Sequence, residues 1–166
     1  MATAKYYFGK ESLIQHLIHL VKYRGTRDLG VQLGRLMGDA IKSSGRFNVD
    51  VIVPLPLFPA RERKRGYNQS MLLAEGIASQ LNIPVLDKVI SRPHHTETQT
   101  SKGRIERWKN IEGKFMLYDP SAIAGRHVLL VDDVITTGAT LESCGAELLT
   151  APRATLSIAT LCVAYS

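Results

Sequence analysis

The sequence predicts an α/β domain with a central, mostly parallel sheet and helices on both faces. Three observations carry this. Short apolar runs of strand length alternate with stretches of helical spacing. The 166 residues, 45% of them hydrophobic, suffice for one compact core and leave little room for a second. One apolar run, residues 128–131, leads straight into Asp132, Asp133 and a tail of small residues, as a strand does when it carries chemistry to the carboxyl edge of such a sheet. A single domain over residues 1–166 is expected, with an N-terminal helical part over 1–48.

The elements follow in order. Residues 12–23 place Leu13, Leu17, Leu20 and Val21 at helical spacing, and Ser12 with Gln15 suits a capping box. Gly25 breaks the chain before a second helix over 26–42. Gly30, Gly34 and Gly38 recur there every fourth residue, which weakens the helix by up to ~1 kcal/mol each. Close approach of that face to the sheet is the expected return. Residues 50–57, "DVIVPLPL", read as a strand ending in a turn at Pro54 and Pro56. The basic residues Arg61, Arg63, Lys64 and Arg65 come next. Asn68 or Ser70 then caps a helix running to Leu81, and Pro84 stops it. Residues 85–90 read as a strand and 115–118 as a short one. Gly125 turns the chain into strand 128–131, followed by a helix over 139–149 and a last strand over 155–163.

Composition excludes several classes. No apolar run is long enough to cross a membrane as a helix. The first residues lack the basic-then-apolar build of a signal peptide, so a cytoplasmic protein is expected. Cys144 and Cys162 read as buried free thiols. His16 with His19, and His94 and His95 with Glu97, fall short of a ligand set and read as exposed side chains. A net charge of +6 suits an anionic partner such as nucleic acid or a phosphorylated sugar, and equally a plain basic surface.

The chemistry gathers in "VDDVITTGAT". A strand entering a helix presents the unpaired N–H groups and dipole of the helix N-terminus to an anion. Gly138 allows close backbone approach, and Thr136, Thr137 and Thr140 add hydroxyls. Together they suit a phosphate monoester. The Walker and dinucleotide-binding glycine patterns are absent. Asp132 and Asp133 repel phosphate but accept from a sugar diol. The pair alone equally fits neutralisation of nearby arginines or a Mg²⁺ site. Beside the threonine cup, the diol of a ribose 5-phosphate is favoured.

These residues resemble the phosphoribosyl pyrophosphate (PRPP) motif of type I phosphoribosyltransferases. The chain resembles more closely the ComF/GntX-like family within them, which includes a competence protein of DNA uptake. The likeness is carried by Lys22, Tyr23 and Gly25; by residues 53–57 with Arg61, Arg65, Gly66, Asn68 and Gln69; by Thr96, Gln99, Thr100, Arg107 and Asn110; and by the acid–threonine motif. Many members of that family open with a cysteine-rich zinc ribbon, which these residues do not contain.

The resemblance implies a type I phosphoribosyltransferase-like fold with a flexible hood loop, here over 92–112. It implies that Thr136, Thr137, Gly138, Ala139 and Thr140 bind the 5-phosphate and that Asp132 and Asp133 bind the ribose diol. Pro54, Leu55, Pro56 and Leu57, with Phe58, resemble the pyrophosphate loop. Arg61, Arg65, Gln99 and Arg104 are the implied catalytic residues. Mg²⁺ would arrive with PRPP, held mainly by ligand oxygens and, on the protein, by Asp132 and Asp133.

Three functions stay open at this point. One is a Mg²⁺-dependent phosphoribosyltransferase that displaces pyrophosphate with a nitrogen nucleophile, as amidophosphoribosyltransferase-type sites do. The second is a PRPP-binding module without turnover. The third is a single-stranded DNA-binding accessory protein of DNA uptake. For the last, the basic cluster would contact phosphates and Tyr67 and Trp108 would stack on bases, although both aromatics read as well as packing residues. The partners to expect are PRPP, an acceptor, single-stranded DNA or uptake proteins, and a second copy in a homodimer. No membrane insertion is expected.

Overall fold

A computed structural model describes residues 2–8, 17, 26–92 and 115–164. Its sheet has four parallel strands: β1 (Ala2–Phe8), β2 (Val51–Pro54), β5 (His127–Ile135) and β6 (Thr155–Ala164), in the order β1-β6-β5-β2. All four residues of β2 are buried, as are Val128, Leu129, Leu130 and Val131 of β5. Strands covered on both faces need this unbroken apolar character. Val85 adds a single parallel bridge outside β2, through Ile52.

Helices cover both faces. On one side α1 (Arg27–Ser44) and α3 (Gln69–Leu81) share a core with Ile52, Leu129, Val131 and Leu161. On the other, α4 (Ala139–Leu148) sets Leu141, Cys144 and Leu148 against Val53, Val128 and Leu130. A short helix, α2 (Pro59–Arg65), starts directly after the proline turn and lies over the carboxyl end of β2. β3 (Ile90–Ser91) and β4 (Met116–Leu117) form a separate two-stranded antiparallel pair.

Three sequence expectations change. The glycine face of α1 meets α3, not the sheet. A Cβ on Gly34 would lie 2.3 Å from the Leu73 carbonyl oxygen, and one on Gly76 of α3 would lie 2.2 Å from that of Val31. The backbones therefore cross in contact, which only glycine permits at those points. Residues 85–90 do not form one strand. Val85 bridges β2, exposed Asp87 and Lys88 interrupt the run, and pairing resumes at Ile90 with β4. Residues 1–48 are not helical throughout, because Ala2–Phe8 pairs with β6. The expected helix over 12–23, with His16 and His19, lies outside the described residues apart from Leu17, which is helical.

Candidate functional site

A cleft opens at the carboxyl ends of β2 and β5, where ligands of open parallel sheets bind. Its floor is built from the strands upward. The Leu55 N–H donates to the Val131 carbonyl at 2.8 Å, carrying the β2–β5 ladder one residue into the proline turn. Asn68 then fastens that turn to α3. Its Nδ2 donates to the Leu55 carbonyl at 3.0 Å, while its Oδ1 accepts from the Ser70 N–H at 3.0 Å as the helix N-cap. Ser70 Oγ in turn donates to Asp132 Oδ1 at 3.0 Å, and the Asp133 N–H donates to that same oxygen at 2.8 Å.

Both acids lie inside β5, which runs four residues past the expected end at Val131 and stops at Ile135. The strand alternation slips across them. Before the acids Leu129 and Val131 share a core cluster; after them Val134 packs against it, and Ile135 against the opposite one. Both acids line the cleft, although Asp132 is only 8% and Asp133 only 6% exposed. Burial, and then the neighbouring Asp133 charge, push the Asp132 carboxyl up to about 7, against the pull of the Ser70 and Asp133 hydrogen bonds. A sugar diol suits such a pair, since it supplies donors to carboxylates that the fold has partly desolvated.

The cup follows directly. Gly138 takes a left-handed conformation, φ 81°, and caps α4 without any side-chain hydrogen bond to the helix. A residue with a Cβ would be strained at that φ. The Thr137 hydroxyl accepts only a long bond from the Ala139 N–H, at 3.4 Å, and Thr136 and Thr137 are exposed. The first N–H groups of α4 thus face the cleft beside hydroxyl donors.

The opposite wall is basic. Arg61 and Arg65 line it, with the Arg65 guanidinium bonded to the Gln69 side chain. Arg92 joins them, its guanidinium 3.7 Å from the centroid of the Phe58 ring and 5.4 Å from that of Phe115. Of the residues expected from sequence, Leu55, Pro56, Leu57, Arg61, Arg65, Asp132, Asp133, Thr136, Thr137, Gly138 and Thr140 border this one cleft. Pro54 borders the adjoining cleft instead, and Ala139 contributes backbone at the helix start. Gln99 and Arg104 lie outside the described residues, as do His94, His95, Glu97 and Trp108. Tyr67 is buried in the core, with Arg27 5.8 Å from its ring centroid, so little of its ring is left for a base to stack on.

Sequence reasoning missed Ser70 and Arg92. Ser70 stood out only as an alternative cap, and Arg92 only as the first residue of a basic loop. Both act on the site through space, and no local pattern announces that.

The described residues contain no group of three or more His, Cys, Asp or Glu able to hold a metal. The acid pair alone fits a Mg²⁺ ion whose remaining ligands come from a bound phosphorylated sugar.

The model of the phosphoribosyl transferase domain family matches residues 67–165, which is more than half of the chain. The chain belongs to the phosphoribosyltransferase family, as a ComF-like member of its type I branch. It is 35% identical over 131 residues to competence protein F of Haemophilus influenzae, covering 76% of this chain and 57% of that protein. With the DNA utilization protein YhgH of Escherichia coli K12 it shares 32% over 150 residues, 88% of this chain and 65% of the relative. The chain thus spans less than two thirds of the length of these relatives. Among solved structures, the Bacillus subtilis glutamine PRPP amidotransferase, complexed with ADP and GMP, superposes with a TM-score of 0.55 at 17% identity, over 84% of this chain and 30% of that one. That likeness shows the fold alone.

Proposed function

We propose that the cleft binds PRPP with Mg²⁺ and transfers its phosphoribosyl group to a nitrogen nucleophile. One observation carries the reading. A buried acid pair is fixed, by Ser70 and by its own backbone, between an uncapped helix N-terminus and a basic wall. A phosphate, a diol and a second anion in that order describe PRPP.

Each part has a task. The α4 N-terminus with Thr136, Thr137 and Thr140 holds the 5-phosphate. Asp132 and Asp133 orient the ribose through its hydroxyls. Arg61 and Arg65 stabilise the negative charge that grows on the departing pyrophosphate. In the step itself the C1–O bond breaks and its electron pair leaves with pyrophosphate. The nitrogen lone pair forms the new C1–N bond, and the nitrogen gives up a proton to solvent. Mg²⁺, when bound, neutralises charge on the pyrophosphate oxygens. Nothing in this step requires a protein nucleophile.

The names of the relatives favour a setting in competence and DNA utilization, so the proposed activity serves DNA uptake or the use of its products. A second reading, binding of single-stranded DNA, draws on the exposed Arg61, Arg63 and Lys64 of α2. The burial of Tyr67 weakens it.

The test is pyrophosphate release from Mg²⁺–PRPP across purines, pyrimidines, ammonia and amino sugars. Acceptor-dependent release supports transfer. Tight PRPP binding with no release on any acceptor would reduce the protein to a PRPP-binding module.

A further inference from the structure

Arg92 has no assigned task, yet its placement is specific. It sits at the end of β3 and borders the cleft opposite the threonine cup. Its guanidinium lies on the Phe58 ring at 3.7 Å. Arg61 approaches the same ring at 5.9 Å. Two cations therefore share one aromatic residue, and that residue follows the proline turn directly.

We infer that Arg92 is a further catalytic residue, joining Arg61 beside Phe58 to grip the leaving pyrophosphate. The inference rests on the PRPP reading and deepens it.

The physical argument has three parts. Stacking on a ring fixes the plane of a guanidinium and leaves its edge donors pointing outward, the geometry that grips two phosphate oxygens at once. Arg92 borders the cleft itself, so the terminal guanidinium nitrogens are the donors in reach of an anion there. Two like charges around one ring also repel. Burial, and then the charge of Arg61, hold the Arg92 guanidinium below its ordinary value, and a shared anion would relieve both effects.

Position selects pyrophosphate over the 5-phosphate. Phe58 and Arg61 continue the Pro54–Leu57 turn, whereas the threonine cup follows Asp132 and Asp133 in the chain and leads into α4. An anion held by Arg61 and Arg92 would thus sit beside the proline turn rather than at the start of α4. Phe58 is a positioning residue in this scheme, touching the arginine and not the ligand.

Calorimetry with two separate probes, pyrophosphate and ribose 5-phosphate, each with Mg²⁺, tests the assignment. Arg92→Met leaves an apolar side chain beside the ring and removes the charge. It should weaken pyrophosphate by about tenfold or more and leave ribose 5-phosphate within about twofold. Phe58→Leu, which retains both arginines, should weaken pyrophosphate by about threefold, again without touching ribose 5-phosphate. Pyrophosphate binding unchanged in Arg92→Met would overturn the inference, and so would equal losses on both probes. A wild type that binds neither probe would remove the PRPP reading and this inference together. A wild type that binds both, alongside an unaffected Arg92→Met, removes only this one.

Discussion

Ser70 Oγ donates to Asp132 Oδ1 at 3.0 Å, joining the first turn of α3 to the end of β5 across 62 residues of chain. Asn68, two residues earlier, holds the Leu55 carbonyl. The start of one helix therefore fixes Asp132 and the proline turn relative to each other. A ligand spanning diol and pyrophosphate needs that spacing kept to a fraction of an ångström.

Ser70→Ala removes a donor to the carboxylate, so Asp132 should take up a proton more readily. PRPP affinity is expected to fall about five- to tenfold at pH 7 and by less at pH 8.5, where the acid ionises without help. Titrations at the two pH values check this. Equal affinity of variant and wild type at pH 7 would show that the bond does not tune the site.

Asn68→Ala loses a helix cap and the clip on Leu55 together. Stability should drop by about 1–2 kcal/mol in urea unfolding. A change below about 0.3 kcal/mol would mean that the helix start is held by other contacts.

Gly34→Ala and Gly76→Ala each drive a methyl into a backbone carbonyl of the facing helix. Each should cost more than about 2 kcal/mol, because backbone cannot swing aside as a side chain does. Gly45 is the control. Its φ is 60° but an added Cβ meets nothing within 4 Å, so Gly45→Ala should cost only about 1 kcal/mol.

The acid pair makes stability depend on pH. Asp132 titrates at about 7 in the fold against an ordinary 3.8. Between those values the folded chain holds a proton that the unfolded chain has lost, so this group favours folding at low pH and the benefit disappears as pH rises through about 7. Asp132→Asn should therefore be more stable than wild type at pH 8, by on the order of 1–3 kcal/mol, with the gap closing toward pH 4. Parallel melting curves across that range would contradict the cause.

Cys144 is fully buried against β5 and burial pushes its thiol up to about 12. Cys162 is equally enclosed. Neither should react with iodoacetamide in the folded protein at pH 8, and both should react in denaturant. Rapid native labelling would place a thiol at an exposed surface.

How much of this was legible follows physical lines. The strand, the acids and the cup are contiguous, so "VLLVDDVITTGAT" displays that half of the site in reading order. The proline turn and Arg61 are legible for the same reason. Ser70 and Arg92 are not, since their value lies in contacts to Asp132 and Phe58 that only the fold creates. The spacing of Gly30, Gly34 and Gly38 signals close approach but not its target, and the target is a helix. β1 escaped notice because Ala2–Phe8 lacks a strong apolar run; its strand character comes from pairing with β6.

The proposed PRPP site is built on the acid pair and the α4 N-terminus. Calorimetry of Mg²⁺–PRPP with wild type and with the Asp132→Asn, Asp133→Asn double variant addresses it most directly. The account expects binding by the wild type and a loss of about a hundredfold or more in the double variant, which should remain folded. Absence of PRPP binding by the folded wild type, or equal binding by both proteins, would contradict it.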